Sequence, residues 1–437
     1  MLKLFNLSLK LKGFPIKEAQ AFLKTIKKKQ ELDFDAYLET SKQVIVNHHL
    51  KHNPFYRDLA KHADVNDWDT LPVMTKYDLQ QPLEQRLSNC FSTKNIFINK
   101  TSGSSGTPFV FAKDKFCHAL IWSNFMDRYS WFNLDLNRSK QARFYGIPLD
   151  KKGYYKERIK DELSNRFRFS VFDLSDEQLA KNVEKFRNTS FDYINGYTSS
   201  IVQFAKYLEQ EHIVLKTICP SLKACIVTSE MLFTTDKTLL EKQLGIPVIN
   251  EYGAAELGLI AFQNQKDEWI VNTEDLFIEI LDDKNNALPY GEEGRVVITS
   301  LYNKAHAFIR YDLGDIGMLS NISTPQKPIL KKLIGRTSDL VKLPSGKKAA
   351  GLTFYYVTKT IMENSGNVKE FIIEQLKLDT FKISYVSKTS LTEKHTTEIK
   401  KAISKYLEPN LVVNFERKEK LTRSKSGKLK QFSSYLA

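Results

Sequence analysis

The chain reads as an α/β protein: a large N-terminal domain with a mixed α/β and β-rich body, then a small α+β domain. Three observations predict this. From Asn95 to about Thr299 strand-like runs alternate with helical stretches. A β-rich segment closes that body, and after Asp339 the pattern resets to a shorter unit, which places the expected domains at 1–338 and 339–437. With 437 residues there is length for two or three domains and a large core.

Taken in order, residues from about 17 to 62 carry helical periodicity without a glycine. Pro72 and Thr75 punctuate the next stretch, giving a helical N-terminal segment of about residues 1–90. In it His48 and His52 share a helix face, but no HExxH glutamate or third ligand accompanies them, so a solvated face is expected and not a metal site. The runs 142–147, 191–195, 224–228 and 247–250 are expected strands, and 176–187, 199–210 and 235–244 expected helices. Strands at 276–280 and 295–299 flank the turn Pro289-Tyr-Gly-Glu-Glu-Gly294. In the last domain the expected elements are helices at 354–364 and 393–406 and strands at 369–375, 380–386 and 411–415, before a basic stretch from Glu416 to Lys430.

Composition bounds the function. The 65 basic against 51 acidic residues leave a net charge of +14, which favours anionic partners. The aromatics are dispersed and no nucleic-acid-binding motif spacing appears, so a nucleotide or an acidic small molecule accounts for the charge and no specific nucleic acid is expected. Cys90, Cys117, Cys219 and Cys225 lack metal-ligand spacing and read as reduced thiols of a cytoplasmic protein. The N-terminus alternates apolar and basic residues, which is no secretion signal, and no apolar run approaches a membrane span. That first segment can lie on an anionic membrane surface or pack against the body of the protein.

Four stretches carry the chemistry. The first, Thr101-Ser102-Gly103-Ser104-Ser105-Gly106-Thr107-Pro108, lies between two strand-like runs, and its glycines and hydroxyls can wrap a phosphate. It is no Walker A loop, because Gly106 is followed by Thr107 and Pro108; the plain alternative is a polar hairpin connection. In the second, Asn250-Glu-Tyr-Gly-Ala-Ala-Glu-Leu-Gly258, Tyr252 offers a face for a base and Glu256 a carboxylate for a hard cation. In the third, Phe308-Ile-Arg-Tyr-Asp-Leu-Gly-Asp315, Asp315 after a glycine turn can accept from ribose hydroxyls, and in the fourth, Gly335-Arg-Thr-Ser-Asp-Leu-Val-Lys342, Arg336 can hold a ribose or phosphate oxygen. Taken singly, each also has a structural reading: core tyrosine, helix-start carboxylate, turn former or solvated charge.

At these residues the chain resembles the adenylate-forming superfamily of acyl-CoA synthetases, most closely its phenylacetate-CoA ligase branch with the related proteins of capsule biosynthesis. The resemblance runs from His52-Asn-Pro-Phe-Tyr56 and Leu71-Pro-Val-Met-Thr-Lys76 through the four motifs in order to Ser426-Gly-Lys428. It implies that Thr101, Ser102, Gly103, Ser104, Ser105, Gly106 and Thr107 hold the phosphates of ATP, and that Ser229, Glu230, Glu251, Tyr252, Gly253, Asp315 and Arg336 surround adenine and ribose. It further implies that Glu256 binds Mg2+, that Asp339 is the hinge of a rotating C-terminal domain, and that Lys428 stabilises charge in adenylation. Tyr145, Gly146 and Tyr197 fall in the regions resembling the acyl pocket.

The expected function is then ATP- and Mg2+-dependent conversion of a small carboxylic acid to an acyl-AMP with release of pyrophosphate. The acyl group then passes to CoA or to an amine or hydroxyl acceptor, in the setting of capsular or surface polysaccharide synthesis. Two positions depart from the pattern: Ala255 stands where the superfamily has Thr or Ser, and Thr107 where the branch often has lysine. They suggest as an alternative an inactive nucleotide-binding assembly protein; AMP transfer to a hydroxylated acceptor is the other.

Overall fold

A computed structural model describes residues 4–101, 109–146, 151–171, 173–336, 340–346, 348–350, 368–422 and 429–436. The described residues up to Lys332, Gly314–Ile316 excepted, form one compact unit; Gly314–Ile316 and the residues from Leu333 form a second.

The chain starts with α1 (Leu4–Leu11), α2 (Ile16–Leu32), α3 (Phe34–His52), α4 (Pro54–Leu59) and α5 (Leu83–Arg86). Ile16, Ala19, Leu23 and Ile26 line one face of α2 and are buried, while its lysines take the other. Asp33 and Asn53 break the helical stretch, each accepting a backbone N–H three residues on as the N-cap of α3 and α4. Leu9 of α1 packs with these helices, and the Phe5 ring meets Trp122 edge-on at 5.0 Å.

The hairpin β1 (Ile96–Lys100) and β2 (Val110–Asp114) comes next, and then α6 (Lys115–Ser130), capped by Asp114. After it lie β3 (Gln141–Tyr145), α7 (Lys151–Leu163), β4 (Arg166–Ser170), α8 (Asp176–Arg187), β5 (Tyr193–Tyr197), α9 (Thr198–Gln210) and α10 (Leu215–Ile218). The run ends with β6 (Ala224–Thr228), α11 (Thr234–Leu244), β7 (Val248–Ala254), β8 (Gly258–Gln263) and β9 (Trp269–Val271). The strands form one sheet of order β4-β3-β5-β6-β7-β8-β9, parallel from β4 to β7 and antiparallel beyond. One face is covered by α8, α9 and α11 around stacked Phe144, Phe169, Phe186 and Phe204; the other packs on α6 through Tyr129 and Phe262.

A four-stranded sheet of order β10-β11-β12-β13 uses β10 (Leu276–Leu281), β11 (Glu293–Ser300), β12 (Tyr311–Leu319) and β13 (Leu330–Arg336). Arg310, wholly buried, ties Trp68, Asp69 and Leu71 to this region through their carbonyls and pairs with Glu279 at 3.1 Å.

In the second unit, β14 (Leu340–Lys342) and β15 (Lys348–Ala350) pair as a hairpin. The sheet β18-β17-β16-β19 contains β16 (Val368–Gln375), β17 (Thr380–Ser387), β18 (Val412–Lys418) and β19 (Phe432–Ser434). Helix α12 (Glu393–Tyr406) links β17 to β18, which is why those two strands run parallel. Ile373, Ile383, Ile399 and Ile403 are buried in this unit.

Candidate active site

The polypeptide leaves β3 toward β4, at one edge of the large sheet, and leaves β5 toward β6 and β7 on the other side. Adjacent parallel strands whose connections diverge open a crevice at their carboxyl ends, the usual place for a ligand in an open α/β sheet. Tyr145 ends β3 and Tyr197 ends β5 at that crevice, their rings 4.5 Å apart. The register then runs Tyr197 to Thr228 to Glu251, so the ends of four strands make one row.

Close packing of that row depends on glycine at two positions. A Cβ on Gly196 would lie 2.5 Å from Phe144 Cβ and its carbonyl oxygen, and one on Gly253 would lie 2.6 Å from the Gly258 carbonyl. The second contact lets β7 turn sharply into β8, and Glu256 sits in that turn.

Glu256 is buried, and Tyr311 donates its hydroxyl to Glu256 Oε1 at 3.0 Å. Lys113, 3% exposed, donates from Nζ to the Ala255 carbonyl at 2.9 Å. Burial pulls the Lys113 ammonium below its usual pKa, against the opposing charge of Glu256. Among the described residues no group of three or more His, Cys, Asp or Glu side chains surrounds a common point. One buried carboxylate fits Mg2+, which takes one or two protein carboxylates and completes its shell with phosphate oxygens and water.

Beneath the row lies a polar cluster facing α6. Tyr129 of α6 donates to Glu251 Oε2 at 2.9 Å, and Thr228 is the strand partner of Glu251. Burial pushes the Glu251 carboxyl up to about 7. The Arg143 guanidinium lies 4.2 Å from the Tyr145 ring centroid, while its buried Nε has no hydrogen-bond partner.

The other residues singled out by sequence are placed as follows. Ser229, exposed at the end of β6, has φ of 70°. Glu230 accepts from Ser199 N at 2.7 Å, and its carbonyl accepts from Thr198 Oγ1, so it caps α9. Tyr252 is buried, its ring 6.0 Å from Trp269. Gly146 uses its carbonyl to accept from Arg168 at 3.0 Å. Thr101 closes the neck of its hairpin: its N donates to the Phe109 carbonyl and its Oγ1 accepts from Phe109 N, both at 3.1 Å.

Asp315 lies inside β12 and not after a turn, Gly314 before it having φ of 75° within the strand; Asp315 and Arg336 belong to the second unit. Ser102 to Thr107, Asp339 and Lys428 lie outside the described residues, as does the side chain of Arg336. Sequence reasoning singled out neither Arg143, Tyr129, Thr228 nor Tyr311. Nor does the sequence single out Lys113, which lies in the core bonded to the Glu256 turn.

No family model matches the chain. It is similar to Protein CapK of Staphylococcus aureus, with 22% identity over 310 residues, 68% of this chain and 66% of that protein. It is also similar to phenylacetate-coenzyme A ligase of Aromatoleum evansii, with 23% identity over 250 residues, 55% of this chain and 56% of that one. The chain thus spans slightly under two thirds of one relative and just over half of the other. Among solved structures, 2-hydroxyisobutyryl-CoA ligase in complex with R3-HIB-AMP superposes with a TM-score of 0.69 at 18% identity, covering 91% of this chain and 88% of that one. The anthranilate CoA ligase AuaEII in complex with anthranoyl-AMP gives 0.54 at 14%, covering 76% and 65%. The chain thus has the fold of these acyl-CoA ligases across nine tenths of its length and is similar in sequence to the two relatives named.

Proposed function

We propose that this protein is an AMP-forming ligase that activates a small carboxylic acid with ATP and passes the acyl group to CoA or to an amine or hydroxyl acceptor. The observation that carries the reading is Glu256, a buried carboxylate fixed by Tyr311 on a turn at the carboxyl end of β7, shortly after Tyr252. In the reaction a carboxylate oxygen bonds to the α phosphorus while the bond to the bridging oxygen breaks, and pyrophosphate leaves with the electron pair. Two anions meet in that step, so positive charge must be ready where negative charge builds up.

The residues divide the work. Glu256 is the carboxylate that would hold Mg2+, whose contribution when bound is to offset the charge of the phosphates. Tyr311 fixes the direction of that carboxylate, and the Lys113 bond to Ala255 holds the turn beside it. Tyr145 and Tyr197 wall the acid, Tyr252 with Ser229 and Glu230 borders the base, and the loop from Thr101 to Thr107 grips the phosphates. Lys428 acts on the second unit as the charge that favours adenylation, with Asp339 as the hinge. The link to capsular or surface polysaccharide is part of this reading and is supported by the similarity to CapK.

Acid-dependent release of pyrophosphate by purified protein with ATP, Mg2+ and a panel of acids tests the proposal. Release is expected with at least one acid and is expected to fall about 100-fold in Lys428→Ala. No acid-dependent release at all, with ATP still bound, would favour the inactive assembly protein that Ala255 and Thr107 suggest.

A further inference from the structure

We infer, independently of the adenylation reading, that the outward faces of α1 and α2 form a docking surface for an anionic phospholipid bilayer, lysines meeting the headgroups and leucines entering the outer acyl region. The sequence allows the first segment either to lie on a membrane or to pack against the body. In the structure one set of its side chains packs, and a different set faces out.

The packing fixes both helices. Leu9 of α1, Phe14 of the link and Leu23 and Ile26 of α2 share one buried cluster with Leu120 of α6. The link is a compact helix stop: Gly13, with φ of 76°, donates its N–H to the Lys10 carbonyl at 2.8 Å, and Phe14 donates to the Leu9 carbonyl at 3.0 Å. The Asn6 N–H, in the first turn of α1, donates to the Asn137 side chain at 3.0 Å. The two helices are thus a built part of the surface, and their outward faces point away from the same core.

What faces out is one-sided in charge. Residues 1–32 hold eight lysines against two glutamates, which is six of the net +14 of the whole chain. Lys17, Lys24 and Lys28 recur at intervals of seven and four, opposite the buried stripe of α2. They are exposed, as are Lys10, Lys12 and Lys29, and none of the six makes an ion pair among the described residues; Lys27, on the flank, pairs with Asp127 at 2.5 Å. On α1, Leu7 and Leu11 sit one turn apart on the side away from Leu9, 39% and 80% exposed, and Leu32 at the end of α2 is 77% exposed.

Charge and apolar side chains together choose the partner. Unpaired lysines attract any polyanion, and that attraction weakens with salt. Leu11 stands between Lys10 and Lys12 in the chain, and leucines exposed beside lysines favour a bilayer over a nucleic acid, because only the bilayer offers hydrocarbon beneath its charges. Among the described residues no helix is long and apolar enough to cross a membrane, so this contact lies on the bilayer.

Co-sedimentation of the full-length protein with vesicles of phosphatidylcholine alone, and of an equimolar mixture with phosphatidylglycerol, tests the surface at low and at physiological salt. Binding to the mixed vesicles is expected to be at least about tenfold tighter than to the neutral ones, and to weaken as salt rises. Lys17→Glu, Lys24→Glu and Lys28→Glu together are expected to lower that affinity at least about tenfold, and Leu7→Ser with Leu11→Ser about fivefold or more. All five positions are exposed, so the urea midpoint is expected to stay in place; Lys→Gln at the same three positions replaces the glutamates if that variant does not fold. No preference for anionic vesicles, or undiminished binding by the lysine variant, would overturn the inference. So would a leucine variant that binds as well as the parent, which would mark plain attraction to polyanions. The adenylation reading stands under each of these outcomes.

Discussion

Two polar clusters sit side by side on the large sheet, and they are built on opposite terms. Under α7, Arg168 bonds both oxygens of Asp161 at 3.0 Å, Glu157 at 2.9 Å and the Gly146 carbonyl at 3.0 Å, and Arg166 adds a bond to Asp161 at 2.6 Å. Under the crevice, Arg143 lies on a tyrosine ring without a carboxylate at ion-pair distance among the described residues, while Glu251 is held by the Tyr129 hydroxyl. Buried charge is costly unless it is paired. The first cluster closes its charges on one another, whereas the second leaves the Arg143 guanidinium without a carboxylate partner among the described residues.

The largest effect should come from the closed cluster. Arg168→Met strips Asp161 of two bonds and is expected to cost on the order of 3–5 kcal/mol in urea unfolding. Arg143→Met should cost well under half of that, and equal losses from the two would break the contrast. Next, Glu256→Gln is expected to cut pyrophosphate release about 100-fold with little change in the urea midpoint, because the amide oxygen can still accept from Tyr311. A collapse in stability with this variant would move Glu256 from the chemistry to the scaffold.

The third effect is a slope. Because burial raises the Glu251 carboxyl to about 7, the folded state holds a proton that the unfolded chain releases near 4.5. Stability is therefore expected to decline as pH rises from about 4.5 to 7, by at most ~1.4 kcal/mol per pH unit. Glu251→Gln should flatten that part of the unfolding free energy against pH. An unchanged slope would mean that the carboxyl is better solvated than its neighbours imply.

Much of this architecture is legible in the sequence. Helices α8 and α12 and strand β6 coincide with the expected elements, since their apolar periodicity is bounded by clear caps and turns. Strand β5, expected from Phe191, begins at Tyr193: Phe191 is buried in the core, but the chain there is still turning, with Asp192 N on the Lys140 carbonyl. The long N-terminal helical run is broken at Asp33 and Asn53, where capping side chains do what a missing glycine would have signalled.

The site is legible where it is local. Tyr252, Gly253 and Glu256 share one stretch of chain, whereas Arg143, Tyr129 and Lys113 matter through partners far away in sequence, such as Lys113 on Ala255 and Tyr129 on Glu251. Strand alternation says that Arg143 and Phe144 face opposite ways; only the sheet order tells which of the two faces holds the crevice.

The register of β7 has a consequence for how this chain can diverge. Glu251 and Tyr252 are neighbours on one strand and so face opposite sides of the sheet, one toward the polar cluster and one toward Trp269. Substitution at either position alters one side and spares the other. A single inserted or deleted residue between Val248 and Glu251 would exchange them, along with every side chain up to the turn. This segment should accept point changes readily in a mutational scan while rejecting any change in its length.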